Sequence, residues 1–387
     1  MKRNRLILLG LFVLSLVAIS FYGGPVSYGF FFFILFTPAV SALYTLFVYF
    51  RFRIYQKIET KVAVVDTPVA FYYSLKNEDR FGFAGVRTGF YTDFSTLSGI
   101  DPDTEYELFP GTGIENESRL ICKYRGEYYV GIEYVIVQDY LRLFRFTFRN
   151  KERIMVNVIP KLVILEDISA LDELSISPRD LINKATEPDV LVRDYVPGDD
   201  IRSISWKLTA AAGKPLVRKR IGENTPSVSI VMDSHREGKD PEEFLPLENK
   251  LLETTLALAW YYLSRGVSVS VYAYDDGPVF FAMDNTDAFE AFYRAMSAFS
   301  FREDSSAEKL FAYVSGVPEI FRSSAVICVM HTVEDVCNRF SEELENSQIR
   351  VASFYITEEK VDVPGAVVVG YDDELTQQES RHDRTYI

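Results

Sequence analysis

Ser227-Val228-Ser229-Ile230-Val231-Met232-Asp233 is the stretch on which the fold turns. A short apolar run, closed by an acid, reads as a buried strand. Residues 247–264 follow as a long helix. Leu251, Leu258 and Tyr262 line one stripe, Leu252, Leu256, Ala259 and Leu263 the other flank, and Gly266 stops it. Further strands are expected at 267–274, 278–283, 324–330 and 349–356, with helices at 287–299, 307–314 and 333–344. Strands alternating with helices predict an open, mostly parallel α/β sheet over residues 226–371. The polar residues 372–387 read as a disordered tail.

Upstream the pattern changes. Runs rich in Val, Ile, Tyr and Phe at 61–65, 68–75, 118–123, 128–137, 142–149 and 154–159 predict a β-sandwich-like module over residues 58–165. Residues 76–113 do not parse into definite strands. A polar, irregular connecting segment is expected over 166–225. At the other end, residues 6–22 and 28–50 are free of charge over 17 and 23 positions. As helices they reach roughly 25 and 34 Å, around the ~30 Å of a hydrocarbon core. Gly23-Gly24-Pro25-Val26-Ser27 between them is turn chemistry, so residues 1–57 predict a transmembrane hairpin. Lys2, Arg3, Arg5, Arg51, Arg53 and Lys57 flank it without an acid, which places both outer ends in the cytoplasm. The first span has a rival reading as a cleaved signal peptide ending near Ala18-Ile19-Ser20. In both readings the body faces the cytoplasm, at the inner membrane.

The net charge is −14 and the hairpin is basic, so the body is strongly acidic, which excludes nonspecific nucleic-acid binding. Three cysteines make no disulfide framework. Cys328-x-x-His331 with Cys337 lacks a fourth zinc ligand, and Cys328 lies inside an apolar strand. P-loop, HExxH and GxSxG patterns are absent, and the three histidines are isolated in sequence. No nucleophile–base pair is expected.

The most distinctive stretch is Arg193-Asp194-Tyr195-Val196-Pro197-Gly198-Asp199-Asp200-Ile201-Arg202-Ser203-Ile204-Ser205-Trp206. Pro197-Gly198 suits a type II turn, after which Asp199 or Asp200 can cap a helix. Ile201, Ile204, Leu208, Ala211 and Ala212 then share one helical face, with Arg202 and Trp206 opposite and Gly213 as the stop. Arg202 and Trp206 compose either a binding hot spot or an intramolecular contact, with Arg193 and Arg202 paired to nearby aspartates. Seven basic residues against three acidic ones between 193 and 220 suit an acidic partner or a solvated face.

This motif resembles the signature of the bacterial family called domain of unknown function fifty-eight, whose pattern is Arg-x-Tyr-x-Pro-Gly-Asp-Asp-x-Arg-x-Ile-x-Trp. Upstream, Asp139-Tyr140-Leu141-Arg142-Leu143-Phe144 resembles that family's Asp-Pro-Phe-Gly-Leu-Phe element, with Tyr140 and Arg142 in place of its Pro and Gly. The resemblance implies a von Willebrand factor A-like α/β domain and a MoxR-type AAA+ ATPase as partner, in assembly or maturation of other proteins. It carries no established enzymatic activity. Motif residues carried over are Arg193, Tyr195, Pro197, Gly198, Asp199, Asp200, Arg202 and Trp206. A metal-binding domain of that fold uses Asp-x-Ser-x-Ser after its first strand. Here Asp233 is in place, a weak candidate for Mg²⁺, but His235 and Glu237 hold the serine positions and Arg236 intrudes. Asp275, Asp276 and Thr332 are later candidates. No cofactor is expected. The leading expectation is a membrane-anchored, non-enzymatic interaction protein whose client is unknown. The alternative is a metal-dependent binding domain for a peptide or cell-envelope component.

Overall fold

The computed structural model describes residues 1–100, 104–166, 168–186, 190–196, 204–220, 225–303, 306–331, 335–358, 366–371, 373 and 375. The chain forms two compact units that divide between Ile159 and Pro160.

The first unit opens with α1 (Lys2–Tyr22) and α2 (Pro25–Arg51), two helices long and apolar enough to cross a bilayer. Short strands follow: β1 (Arg53–Ile58), β2 (Val62–Val64), β3 (Pro68–Lys76), β4 (Phe83–Phe90), β5 (Ser95–Ser98) and β6 (Tyr106–Leu108). The remainder are β7 (Gly113–Cys122), β8 (Gly126–Val130), β9 (Ile132–Gln138), β10 (Arg145–Arg149) and β11 (Ile154–Ile159). They make three small sheets, ordered β1-β3-β7-β5, β10-β9-β4-β6 and β2-β11-β8, around one core. The expected β module is thus present in coarser form, as three sheets. The run at 128–137 is two strands, because Gly131 at φ 85° breaks it. Within the unparsed region β4 hides behind glycines: Gly89 lies directly under the Tyr134 ring of β9, where any side chain would collide.

A turn after β9 joins this β unit to its helices. Asp139, 3% exposed, accepts from Ser41 Oγ of α2 at 2.5 Å and from the N–H groups of Leu141, Leu143 and Phe144 at 3.1, 2.9 and 2.7 Å. The carbonyls of Leu141 and Leu143 accept from Asn4 Nδ2 and Arg5 Nε of α1, both at 2.8 Å. Arg142 sits at φ 54°, in the left-handed region where the related pattern has glycine. Tyr44 donates to the carbonyl of Gly82 at 2.8 Å, and Val48 and Phe52 enter the β core. The lower part of the second expected span, 28–50, therefore has one face against protein.

The second unit is α/β. It contains α3 (Ser169–Glu173), α4 (Pro178–Thr186), β12 (Val190–Asp194), α5 (Trp206–Ala212), β13 (Leu216–Arg220), β14 (Ser227–Met232) and α6 (Pro241–Leu263). Then come β15 (Ser268–Tyr274), β16 (Pro278–Met283), α7 (Thr286–Ser297), α8 (Ala307–Ser315), β17 (Ala325–Met330), α9 (Asp335–Asn346), β18 (Arg350–Thr357) and β19 (Ala366–Gly370). Six strands run β16-β15-β14-β17-β18-β19, parallel except for edge strand β16. Nearly every residue of β14 and β17 is buried, as strands covered on both faces must be. Val228, Ile230 and Met232 pack with α6 and α7 on one face, and Val231 with Cys328, α8 and α9 on the other.

Two expectations are corrected here. The segment expected to connect, 166–225, begins inside this core: Ile168, Leu171, Ile176 and Leu181 are buried in it, and Tyr262 donates to the carbonyl of Ile176 at 2.8 Å. Its few apolar residues are widely spaced, so its composition reads polar. Of the expected tail only residues 373 and 375 are described, and both contact the unit: Leu375 is buried and Lys250 Nζ donates to the carbonyl of Asp373 at 2.6 Å.

Replacing Asp139 by alanine leaves buried N–H groups without an acceptor, at a cost of about 1–3 kcal/mol each. Hydrogen exchange on the intact chain should then speed up at residues 141–144 by about 10- to 100-fold. Unchanged protection there would show that the carboxylate does not hold the turn.

Candidate functional site

The chain passes from β14 to β15 on one side, then returns to β17 on the other. The crevice beyond the carboxyl ends of β14 and β17 is therefore the switch point of the sheet, where open α/β folds bind ligands. Asp233 follows β14 and His331 follows β17. Parallel register, with Met232 opposite Val329, carries these two residues to the same place.

Both are buried. His331 Nδ1 stands 2.9 Å from Asp233 Oδ2, within hydrogen-bonding distance. Its Nε2 lies 3.8 Å from Glu237 Oε2, so the imidazole stands between two carboxylates. The His235 ring stacks on it at 5.9 Å, and the His235 N–H donates to Asp233 Oδ1 at 3.0 Å. Burial alone would raise the Asp233 carboxyl. The bonding and charge of His331, with the N–H and charge of His235, outweigh burial and hold it below the ordinary carboxylate range.

The surrounding loop is fixed by ladder-like bonds. Asp233 N–H donates to the Val329 carbonyl at 2.9 Å, and Arg236 N–H to the Arg302 carbonyl at 3.0 Å. Ser234 Oγ donates to the carbonyl of Tyr274. Arg236 does not intrude on Asp233. Its guanidinium meets Glu248 Oε1 at 2.5 Å and lies 4.1 Å over the Phe244 ring. Asp275 and Asp276 are engaged by Arg302, at 2.7 and 2.5 Å. Thr332 lies outside the described residues.

The expectation that every histidine is isolated fails here. Nearly a hundred residues separate His235 from His331, and only the parallel crossover brings them together. The donors also fit a hard cation poorly. Mg²⁺ prefers a shell of oxygens, whereas two imidazoles crowd Asp233 and one meets its Oδ2. Among the described residues no group of three or more metal-ligating side chains is placed to hold an ion. Cys328 and Cys337 lie buried together. Hydrogen bonding to Cys337, then burial, pushes the Cys328 thiol up.

The motif is described at its two ends. Arg193 pairs through its backbone with Val217. Tyr195 N–H donates to the Pro215 carbonyl at 2.9 Å, Ser205 N–H to the Leu216 carbonyl at 2.9 Å, and Ile204 bridges Val217. Pro197, Gly198, Asp199, Asp200 and Arg202 lie outside the described residues. Asp194 pairs with Lys214 at 2.8 Å. The helix expected from 201 starts only at Trp206, so Ile204 makes an isolated bridge to Val217 rather than holding a helical core position. Gly213 does cap α5, at φ 68°. Trp206 is 66% exposed, and Val196 and Leu208 are exposed as well. Trp260, by contrast, is packed on Phe289 at 4.9 Å.

An Asp233→Asn variant tests the electrostatics. A lowered folded pKa contributes stability above the unfolded carboxyl value of about 3.9, and that stability is lost as pH falls through the lower folded value. The variant should be about 1–3 kcal/mol less stable at pH 7, with the gap closing towards acid pH. Urea midpoints over that range would decide it, and a gap independent of pH would contradict the depressed carboxyl.

No curated protein matches the chain in sequence. Among solved structures, the secreted serine protease VesC from Vibrio cholerae is similar at 12% identity, over 36% of this chain and 28% of that one, with a TM-score of 0.19. The chain thus spans little more than a quarter of that protein's length, and no protease chemistry is inferred from it. Residues 191–285, which hold the motif and Asp233, match the family described as Protein of unknown function DUF58.

Proposed function

We propose that the chain is a membrane-anchored, non-enzymatic interaction protein, held in the inner membrane with both units in the cytoplasm. Its α/β unit, read as von Willebrand A-like, docks a MoxR-type AAA+ ATPase or that ATPase's protein client. The exposed Trp206 carries this reading. An indole in water, on a segment that also exposes Val196 and Leu208, has the composition of a binding anchor. The positive balance of residues 193–220 suits an acidic partner face. The von Willebrand A-like reading draws support from the acid after a central parallel strand at the switch point. Asp233 sustains the metal-dependent alternative, in which Mg²⁺ would have to displace His331.

Trp206→Ala should weaken capture of the purified ATPase by roughly 1–3 kcal/mol, while unfolding changes by less than about 1 kcal/mol. Unfolding as severe as that of a core truncation would make Trp206 structural. Millimolar Mg²⁺ in the same melts should leave the midpoint unmoved; a rise abolished by Asp233→Ala would favour the metal-dependent reading.

Orientation has its own check. A fluorescent protein fused after Lys57 should glow and alkaline phosphatase fused there should be inactive, given the basic flanks of the two helices. Phosphatase activity would put the body on the other side and remove a cytoplasmic ATPase from consideration.

A further inference from the structure

An apolar groove of about 600 Å³ runs along α2, within the size range of small-molecule sites. Gly29, Phe33, Phe36 and Val40 form its long wall, at helical spacing on one stripe. Tyr140 and Leu141 of the Asp139 turn project beside its lower end, 63% and 50% exposed. The hydroxyl of Tyr140 donates to the Gly82 carbonyl at 3.1 Å and its ring lies 5.1 Å from Tyr44, so the projecting side chain is fixed.

The level of that lower end is set by hydrogen bonds. Asn4 and Arg5 hold the turn from α1, and Ser41 holds it from α2. Lys2 and Arg3, one helical turn away at most, are exposed, as are Arg142 and Arg145 after the turn. Glu105 meets Arg142 at 3.5 Å but also pairs with Arg87, and the lone pairs of Asp139 are taken by neutral donors. Exposed cations thus flank the turn at the lower end, where Asp139 is the charged residue of the lining, and the groove's upper part, residues 29–40, belongs to an apolar span of roughly 24 Å from Pro25 to Val40. An amphipathic aromatic at such a boundary is the usual interfacial anchor, and juxtamembrane cations attract anionic head groups.

We propose that this groove holds one acyl chain of an anionic phospholipid, with its head group at the level of Tyr140 and the cations of α1 and β10. The occupant follows from continuity: the groove lies along a helix that a bilayer covers, and the turn at its lower end is tied to the basic start of α1 and carries Arg142. The proposal rests on the membrane-anchored reading.

The full chain in nanodiscs or mild detergent provides the test, probed with dioleoyl-phosphatidylglycerol and dioleoyl-phosphatidylcholine. Native mass spectrometry after delipidation should retain phosphatidylglycerol over phosphatidylcholine by about tenfold. Gly29→Leu, at a position where an added Cβ meets nothing within 4 Å, fills the groove and should abolish retention. Arg142→Gln with Arg145→Gln should erase the preference between lipids while leaving the groove able to hold either. Amide protection across β3 and β7, unchanged, would show that the variants fold. Retention of both lipids alike, or retention indifferent to Gly29→Leu, would overturn the proposal. So would a stable dimer that Gly29→Leu dissociates, because a second copy's helix would then be the occupant. A chain that carbonate strips from vesicles would fail the anchored reading itself, whereas one that stays yet binds no lipid fails only this inference.

Discussion

A carboxylate taken out of water must have its lone pairs answered, and the cost of leaving them empty exceeds most single contacts in a domain. Each unit of this chain is organised around one such group. Asp139 meets the demand with neutral donors alone, three of them backbone N–H groups within the next five residues. That requirement dictates the path of the turn and forces Arg142 into a left-handed conformation. Left-handed geometry costs a non-glycine residue roughly 1–2 kcal/mol, which the three N–H bonds can offset. Because the fourth donor is Ser41 and the turn's carbonyls accept from Asn4 and Arg5, the same carboxylate couples both helices to the β sheets.

Asp233 solves the same problem by a different route. Among the described residues one backbone N–H, that of His235, reaches it, and its other oxygen faces an imidazole. The arrangement needs two crossovers to form. His331 reaches the carboxylate only when β17 docks beside β14 in register, so the contact reports correct assembly of the sheet's centre. In a sheet with this acid and two hydroxyls after the strand, the same crevice would present oxygens to a cation. Here His235 and Glu237 stand at those positions, and His331 meets the carboxylate. Glu237, at its rim, remains 67% exposed and lies within reach of the Nε2 of His331.

Much of the second unit was legible because its signals are local. Apolar runs of six residues and helices with wide apolar faces give β14, α6, β15, β16, β17 and β18 with ends displaced by a few positions. The first unit was harder for a physical reason. β4 is rich in glycine, and its pairing depends on the Tyr134 ring covering Gly89 from the next strand, which no local pattern reveals. The site was less legible still. Asp233 follows from its strand, but the convergence of His235 and His331 is a property of strand order. Helical periodicity also misled at Ile204, where the apolar spacing fits a helix yet the backbone pairs with Val217 instead. Competition between a helix start and a strand partner is decided by tertiary contact, not by spacing.

The described ends of the motif separate two roles that a sequence pattern merges. Closure of this stretch is accomplished by main-chain bonds: Tyr195 to Pro215, Ser205 to Leu216, and the strand pair β12–β13 that positions them. None of these uses the indole. The hydroxyl of Thr209, on the same short helix, completes the clasp by accepting from the Leu216 N–H at 3.0 Å. A tryptophan required for closure would be expected to bury its ring against the strand it helps to hold, as Trp260 does against Phe289. Trp206 instead leaves two thirds of its surface in water at the first position of α5. Keeping a large apolar ring in water carries a standing hydrophobic cost, on the order of 25 cal/mol per Å² exposed. Closure gives no return for that cost, whereas burial of the ring against a partner would.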